Sequence, residues 1–168
     1  MGKVDQKNFK MLAKCFYGFE EILSEELLGL GAQKIQIGRR NVSFYGDKGF
    51  MYKANLSLRT ALKILKPILE FHFSDINSFY DKIYKIRWES LLGVDSTFII
   101  NSSVFHSKIF NNSKFTSLKA KDAIVDRFRN KFSKRPNIDA KNPDLKIDIH
   151  VNKSTCTVSL DSSGESLH

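Results

Sequence analysis

The strongest constraint on the fold is a change of hydrophobic period between residues 97 and 135. Residues 97–104 read as an apolar strand, and a polar loop follows from His106 to Ser117. Over residues 117–132 the apolar positions then recur at helical spacing. At 100° per residue that helix collects Leu118, Ala120, Ile124, Val125, Phe128 and Phe132 on one face. The loop and helix carry Lys108, Lys114, Lys119, Lys121, Arg127, Arg129, Lys131, Lys134 and Arg135, opposed only by Asp122 and Asp126. Much of the chain's positive excess therefore sits on one strand–loop–helix unit.

Lys121 falls within the apolar face in the first turn, where its ammonium must snorkel past the helix start or find a partner. Thr116 or Ser117 can cap the helix, which leaves first-turn amides to attract an anion. Lys114, Phe115, Lys119 and Lys121 surround that end. The pattern is that of a phosphate seat with an aromatic ring on which a base can stack. The plainer reading of the same residues is a capped amphipathic helix with a solvated basic side.

Composition narrows the partner. The chain has 168 residues, enough for one domain or two small ones, and its 42% apolar content can supply a core. A net charge of +9 favours a polyanion, with nucleic acid ahead of an acidic membrane surface because no segment joins a cationic face to an exposed apolar one. Cys15 and Cys156 lie in strand-like runs and are too few for a zinc site, as expected in a reducing cytoplasm. The N-terminus has no apolar signal core, and no run reaches the length of a membrane span. His72, His106, His150 and His168 are scattered, so neither a metal site nor a catalytic constellation is expected. By its residues the chain binds and does not catalyse.

In order, residues 9–16 read as a strand and Gly18 opens a helix with Phe19, Ile22, Leu23, Leu27 and Leu30 on one face. Glu20, Glu21, Glu25 and Glu26 form its outer face, and Gly29 or Gly31 stops it. Residues 34–37 and 42–45 make a hairpin with Arg39 and Arg40 at its tip, open to RNA contact or to solvent alone. Asp47 caps a second helix over residues 49–56. The run 58–73 has an ambiguous period, and Pro67 suits an edge strand or a bulge. Strand, helix, strand, strand, helix, strand is the ferredoxin-like order. A second unit begins near Asp75, with a short helix over residues 78–84 and Trp88 as a core anchor. Its strand at 97–104, the basic helix and an alternating hairpin, 145–151 with 155–160, complete a second α/β layer.

These residues resemble the opening of bacterial THUMP-domain RNA methyltransferases of the RlmL type. The likeness is carried by Phe9-Lys10-Met11-Leu12-Ala13 with Gly18-Phe19-Glu20, by Leu58-Arg59-Thr60, and by Lys119-Ala120-Lys121-Asp122-Ala123-Ile124. Arg135-Pro136, Pro143-Asp144 and the ending from Ser159 to His168 complete it. The resemblance implies an α+β chain: a ferredoxin-like domain at 1–73 packed on an α/β THUMP domain at 74–161, with 162–168 opening a linker. In that family a further domain binds S-adenosylmethionine and methylates the exocyclic amine of a guanine in large-subunit (23S) rRNA. No cofactor loop or catalytic motif is present in this sequence, so no cofactor and no catalysis are expected within it, and a portion of a longer protein is.

The RNA contacts implied by the resemblance are Arg59, Thr60, Lys119, Lys121 and Arg135; Asp122 falls in the same motif but suits a capping and orienting role, since a carboxylate repels phosphate. The reading of the residues adds Lys114, Phe115 and Ser117. Expected partners are structured RNA, above all rRNA, and the protein's own methyltransferase domain, with no membrane. The alternatives are the THUMP module of a tRNA-modifying enzyme, a basic protein-interaction domain, and a fragment of a DNA adenine methyltransferase.

Overall fold

The computed structural model describes residues 8–163, which fall into two compact units divided between Pro67 and Ile68. The first unit also takes residues 161–163.

The first unit holds β1 (Phe9–Lys14), α1 (Glu20–Leu30), β2 (Gln33–Ile37), β3 (Asn41–Gly46), α2 (Lys48–Ser57) and the start of β4 (Lys63–His72). Its strands run in the order β2-β3-β1-β4, each antiparallel to its neighbour. That order is the ferredoxin-like arrangement the element sequence predicts. Residues of one parity face the helices: Met11 lies opposite Phe44, and Ala13 lies between Val42 and Ile64, all essentially without solvent contact. Leu23 and Leu27, one helical turn apart, close over them with Ala54. Gly31 ends α1 at a φ of 97°, where its own N–H and that of Ala32 bond back to Leu28 and Leu27. Asp47 caps α2 by accepting from the Phe50 N–H at 2.7 Å.

Three expectations for this unit need correction. Phe19 and Ile22 are 44% and 50% exposed, because α1 is seated by Leu23 and Leu27 alone. Glu20 and Glu26 are not a solvated outer face, since both carboxylates receive backbone N–H groups from loops. Pro67 lies inside β4, which has β1 and β8 as neighbours, and so is not on an edge strand. The first residues of β4 pair with β1 through Leu65, and the strand's later part neighbours β8 (Thr155–Asp161).

The second unit runs from the latter part of β4 through α3 (Ile76–Tyr84), a single 3-10 turn (Trp88–Ser90), β5 (Thr97–Phe105), α4 (Ser113–Phe132), β6 (Asn137–Ile138), β7 (Leu145–Asn152) and β8. Its strand order is β4-β8-β7-β5-β6, with β7 and β6 parallel to β5 and β8 antiparallel to β7. The alternation seen in the sequence sets the faces. Ile147, Ile149, Val151, Cys156 and Val158 point into the core with Phe98, Ile124 and Phe128. Asp75 and Ser78 form a reciprocal capping box at the start of α3. Trp88 is fully buried and donates its indole N–H to the Ile83 carbonyl at 2.9 Å, the anchor role expected of it. Burial pushes the Cys156 thiol up to about 12, so it is an inert core residue.

Helix α4 departs from expectation at its start. It begins at Ser113, four residues before Ser117, and Asn112 is the cap, its side chain accepting from the Phe115 N–H at 2.8 Å. The longer helix is seated by Thr116, Ala120, Ala123, Ile124, Arg127 and Phe128, a stripe of i, i+3 and i+4 positions. Leu118 and Phe132, expected in the core, are 46% and 48% exposed; Phe132 follows Phe128 by one turn but is the last residue of the helix.

Candidate nucleic-acid interface

The loop before α4 is held from beneath. Phe110 is buried in an aromatic cluster, 4.7 Å from Phe79 and 5.7 Å from Phe73 between ring centroids. Ser107 Oγ accepts from the N–H groups of Ile109 and Phe110 at 3.2 and 3.1 Å. This pins the loop and leaves Lys108 exposed on its outside.

Phe115, in the first turn of α4, rests against Phe110 at 6.0 Å and remains 36% exposed. Lys119 places its ammonium 5.6 Å from the Phe115 ring centre. Lys114 lies exposed beside them. The helix start thus presents one half-exposed ring beside the Lys119 ammonium, with Lys108 and Lys114 exposed close by in the chain, a combination suited to a base and its phosphates. Lys121 is in the third turn, not the first; it is half-buried, 3.7 Å from Asp122, and shares a flank of the helix with Lys114 seven residues earlier. Ser117 faces inward, its hydroxyl 2.6 Å from that of Ser102 on β5. The helix start expected at Ser117 is therefore at Ser113–Phe115, where Asn112 already engages one first-turn amide.

The far end of the helix is different. Twenty residues span about 30 Å, so Arg135 lies well away from Lys114. Arg127 is 8% exposed and grips Glu89 with two bonds of 2.7 Å, while also donating to the Tyr84 carbonyl at 2.9 Å. Lys131 joins Glu89 at 2.9 Å. Hydrogen bonds from Arg127, then Lys131, hold the Glu89 carboxyl far below the usual carboxylate range. The Tyr80 hydroxyl donates to Asp126, and burial together with that bond raises the phenol well above its ordinary value. These groups hold α3, the Trp88 turn and α4 together. The sequence places Arg127 in a basic run, and only its position between Ile124 and Phe128 hints that it is buried.

In the first unit, Arg59 is exposed, but its N–H and that of Thr60 donate to the Glu26 carboxylate at 3.0 and 3.2 Å. The Thr60 hydroxyl donates to the same carboxylate. Burial opposes ionisation of Glu26, but the bonds from Thr60 and Arg59 outweigh it and lower its pKa. Thr60 is thereby committed to holding the α2–β4 loop against α1.

Away from the helices, the second unit carries an open groove of about 410 Å³ lined by Glu70, His150, Lys153, Ser154, Thr155 and Thr157. Among the described residues no group of His, Cys, Asp and Glu is placed to hold a metal ion. No helix among them is long and apolar enough to cross a membrane.

Comparison with known proteins agrees with this architecture. The family model of the THUMP domain matches residues 73–161, and that of the RlmL ferredoxin-like domain matches residues 10–65. The chain is 38% identical over 159 residues to the ribosomal RNA large subunit methyltransferase K/L of Syntrophotalea carbinolica, covering 95% of this chain and 22% of that protein. It thus spans about a fifth of the length of that curated relative. Among solved structures, a "possible methylase" from Clostridium difficile 630 superimposes with a TM-score of 0.80 at 24% identity, over 96% of this chain and 43% of that one. The SMU.472 protein, described as "a putative methyltransferase complexed with SAH", gives 0.79 at 26% identity, over 94% and 42%. The chain belongs to the THUMP-domain family, and an RlmL-type ferredoxin-like domain precedes its THUMP domain.

Proposed function

We propose that this chain is the RNA-gripping portion of an S-adenosylmethionine-dependent methyltransferase that acts on a guanine exocyclic amine in large-subunit rRNA. The observation that carries the reading is the start of α4, where Phe115 stays half-exposed beside Lys119, and Lys108 and Lys114 are exposed just before it in the chain. Those cations are available to phosphate, whereas Arg127 and Lys131 on the same helix are engaged by Glu89. The relative's function supplies the substrate class, and the SAH of the structural relative supplies the cofactor class. Methyl transfer and cofactor binding belong to further sequence of the kind that the longer relatives possess. The chain's own part is to hold structured RNA by its backbone and shape so that one base reaches the catalytic domain, in the cytoplasm where rRNA is modified.

Within this reading, Lys114, Phe115, Lys119 and Lys121 form the main contact, Arg59 and Arg135 are outlying phosphate contacts, and Ser117 and Thr60 act by holding the scaffold. The test is binding of the chain to a large-subunit rRNA hairpin and to tRNA across a salt series. Tighter, salt-steep binding to the rRNA hairpin supports the assignment. Equal affinity for tRNA would move the reading to a tRNA-modifying enzyme, and no affinity for either would refute it.

A further inference from the structure

The first unit carries a second surface with the chemistry of nucleic-acid recognition. Between β1 and α1, Phe16 and Tyr17 are 64% and 69% exposed, and Phe19 and Ile22 follow at 44% and 50%. Four large apolar side chains left in water within seven residues are not a core in the making. Nor do they belong to a slack loop. Phe19 N–H bonds the Phe16 carbonyl at 3.1 Å, and Gly18 takes a φ of 94° to make the turn.

The hairpin tip between β2 and β3 is fastened to this loop. The Glu20 carboxylate accepts from Gly18 N–H at 2.8 Å and from Arg40 N–H at 3.0 Å, while Cys15 N–H donates to the Arg40 carbonyl at 2.9 Å. Arg40 sits at a φ of 59°, a conformation held by those two bonds. The Arg39 guanidinium consequently lies 6.0 Å from the centre of the Tyr17 ring. The Glu20 carboxylate that receives these backbone amides stays ionised, its pKa lowered chiefly by the Arg40 bond.

We infer that Phe16, Tyr17, Arg39 and Arg40 form a platform for unpaired RNA bases, with the rings stacking on bases and the arginines on the intervening phosphates. The occupant follows from charge and shape. Guanidinium groups interleaved with exposed rings match single-stranded nucleic acid, whose bases offer π-faces and whose backbone is anionic. An acidic protein would satisfy the arginines but leave the rings in need of apolar partners. Duplex RNA satisfies the arginines while hiding its base faces. This inference rests on the proposed RNA-binding function and adds to it a second site selective for unpaired nucleotides.

The test uses Tyr17→Trp, whose indole fluorescence would report on the loop against the fully buried Trp88. A short single-stranded RNA should quench it, and a blunt-ended RNA duplex should not. Tyr17→Ala and Arg39→Ala should each weaken single-strand binding by about tenfold, the scale of one lost stacked base. Both side chains are at the surface, so thermal melts of the variants should match the parent. Structured-RNA binding that persists unchanged in Tyr17→Ala, with no quenching by the single strand, would overturn the platform and leave the RNA-binding function standing. Absence of binding to any RNA would overturn both. Self-association abolished by Phe16→Ala would identify the surface as a contact between copies and likewise overturn it.

Discussion

The two halves of α4 are alike in composition and opposite in use. Lys114, Lys119 and Lys121 stand in the first half, and Arg127, Arg129 and Lys131 in the second. In the second half Arg127 and Lys131 converge on Glu89, which ties the helix to the Trp88 turn. In the first half Lys119 lies against a half-exposed ring, and Lys114 is exposed. The difference arises from a carboxylate 38 residues away from Arg127, which rises from the turn to meet only the second half. A run of bases is therefore not a uniform electrostatic surface: its meaning at each position depends on what another segment brings opposite.

That contrast can be broken by substitution. The largest effect is expected from Glu89→Ala, which strands the buried Arg127 guanidinium and should cost about 3 kcal/mol in urea unfolding, against under about 0.5 kcal/mol for Lys114→Ala. Equal losses would mean that the two halves do not differ as described. Acid sharpens the same point. Because the Glu89 pKa is lowered on folding, its contribution is complete above its ordinary value of 4.5 and fades as pH falls below it. Stability measured from neutral to acidic pH should thus fall less steeply in Glu89→Gln than in the parent. A smaller effect belongs to the cap, where Asn112→Ala should destabilise by about 1 kcal/mol and fray the turn that carries Phe115. Amide exchange in residues 113–116 would register it; unchanged protection there would contradict the assigned start of α4. Smaller still is Ser117→Ala, which removes one hydroxyl pair with Ser102 and should cost about 0.5 kcal/mol, the low end for a hydrogen bond, without altering the salt dependence of RNA binding.

Much of the fold was legible because periodicity and punctuation agreed. The alternation of Leu145, Ile147, Ile149 and Val151 fixed a face, Gly31 and Asp47 marked helix ends, and Trp88 proved to be the core anchor. The start of α4 was less legible since Asn112, Thr116 and Ser117 can all cap, and the choice was settled by Phe110 locking into the aromatic cluster. The β6 strand has two residues, too short for any periodic signal. Pro67 suggested an edge strand, yet β4 has a neighbour on each side, and which strands flank a segment is set by residues far away in the chain. At the candidate site, Lys114, Phe115 and Lys119 were foreseen and are gathered at one helix end. Ser117 and Thr60 were foreseen as contacts, yet their hydroxyls are engaged inward by Ser102 and Glu26. Hydroxyl residues beside bases look alike in sequence whether they meet a ligand or the scaffold.

The most direct test of the contrast is the salt dependence of rRNA-hairpin binding in three proteins: the parent, Lys114→Ala/Lys119→Ala and Lys131→Ala. Losing two phosphate contacts should make the slope of log K against log salt shallower by about 1.4 to 1.8, at roughly 0.7–0.9 per contact. Lys131→Ala, which removes a cation already held by Glu89, should leave the slope at the parent value. A double variant with the parent's slope, or a loss in Lys131→Ala as large as in the double variant, would contradict the assignment of RNA contact to the first half of α4.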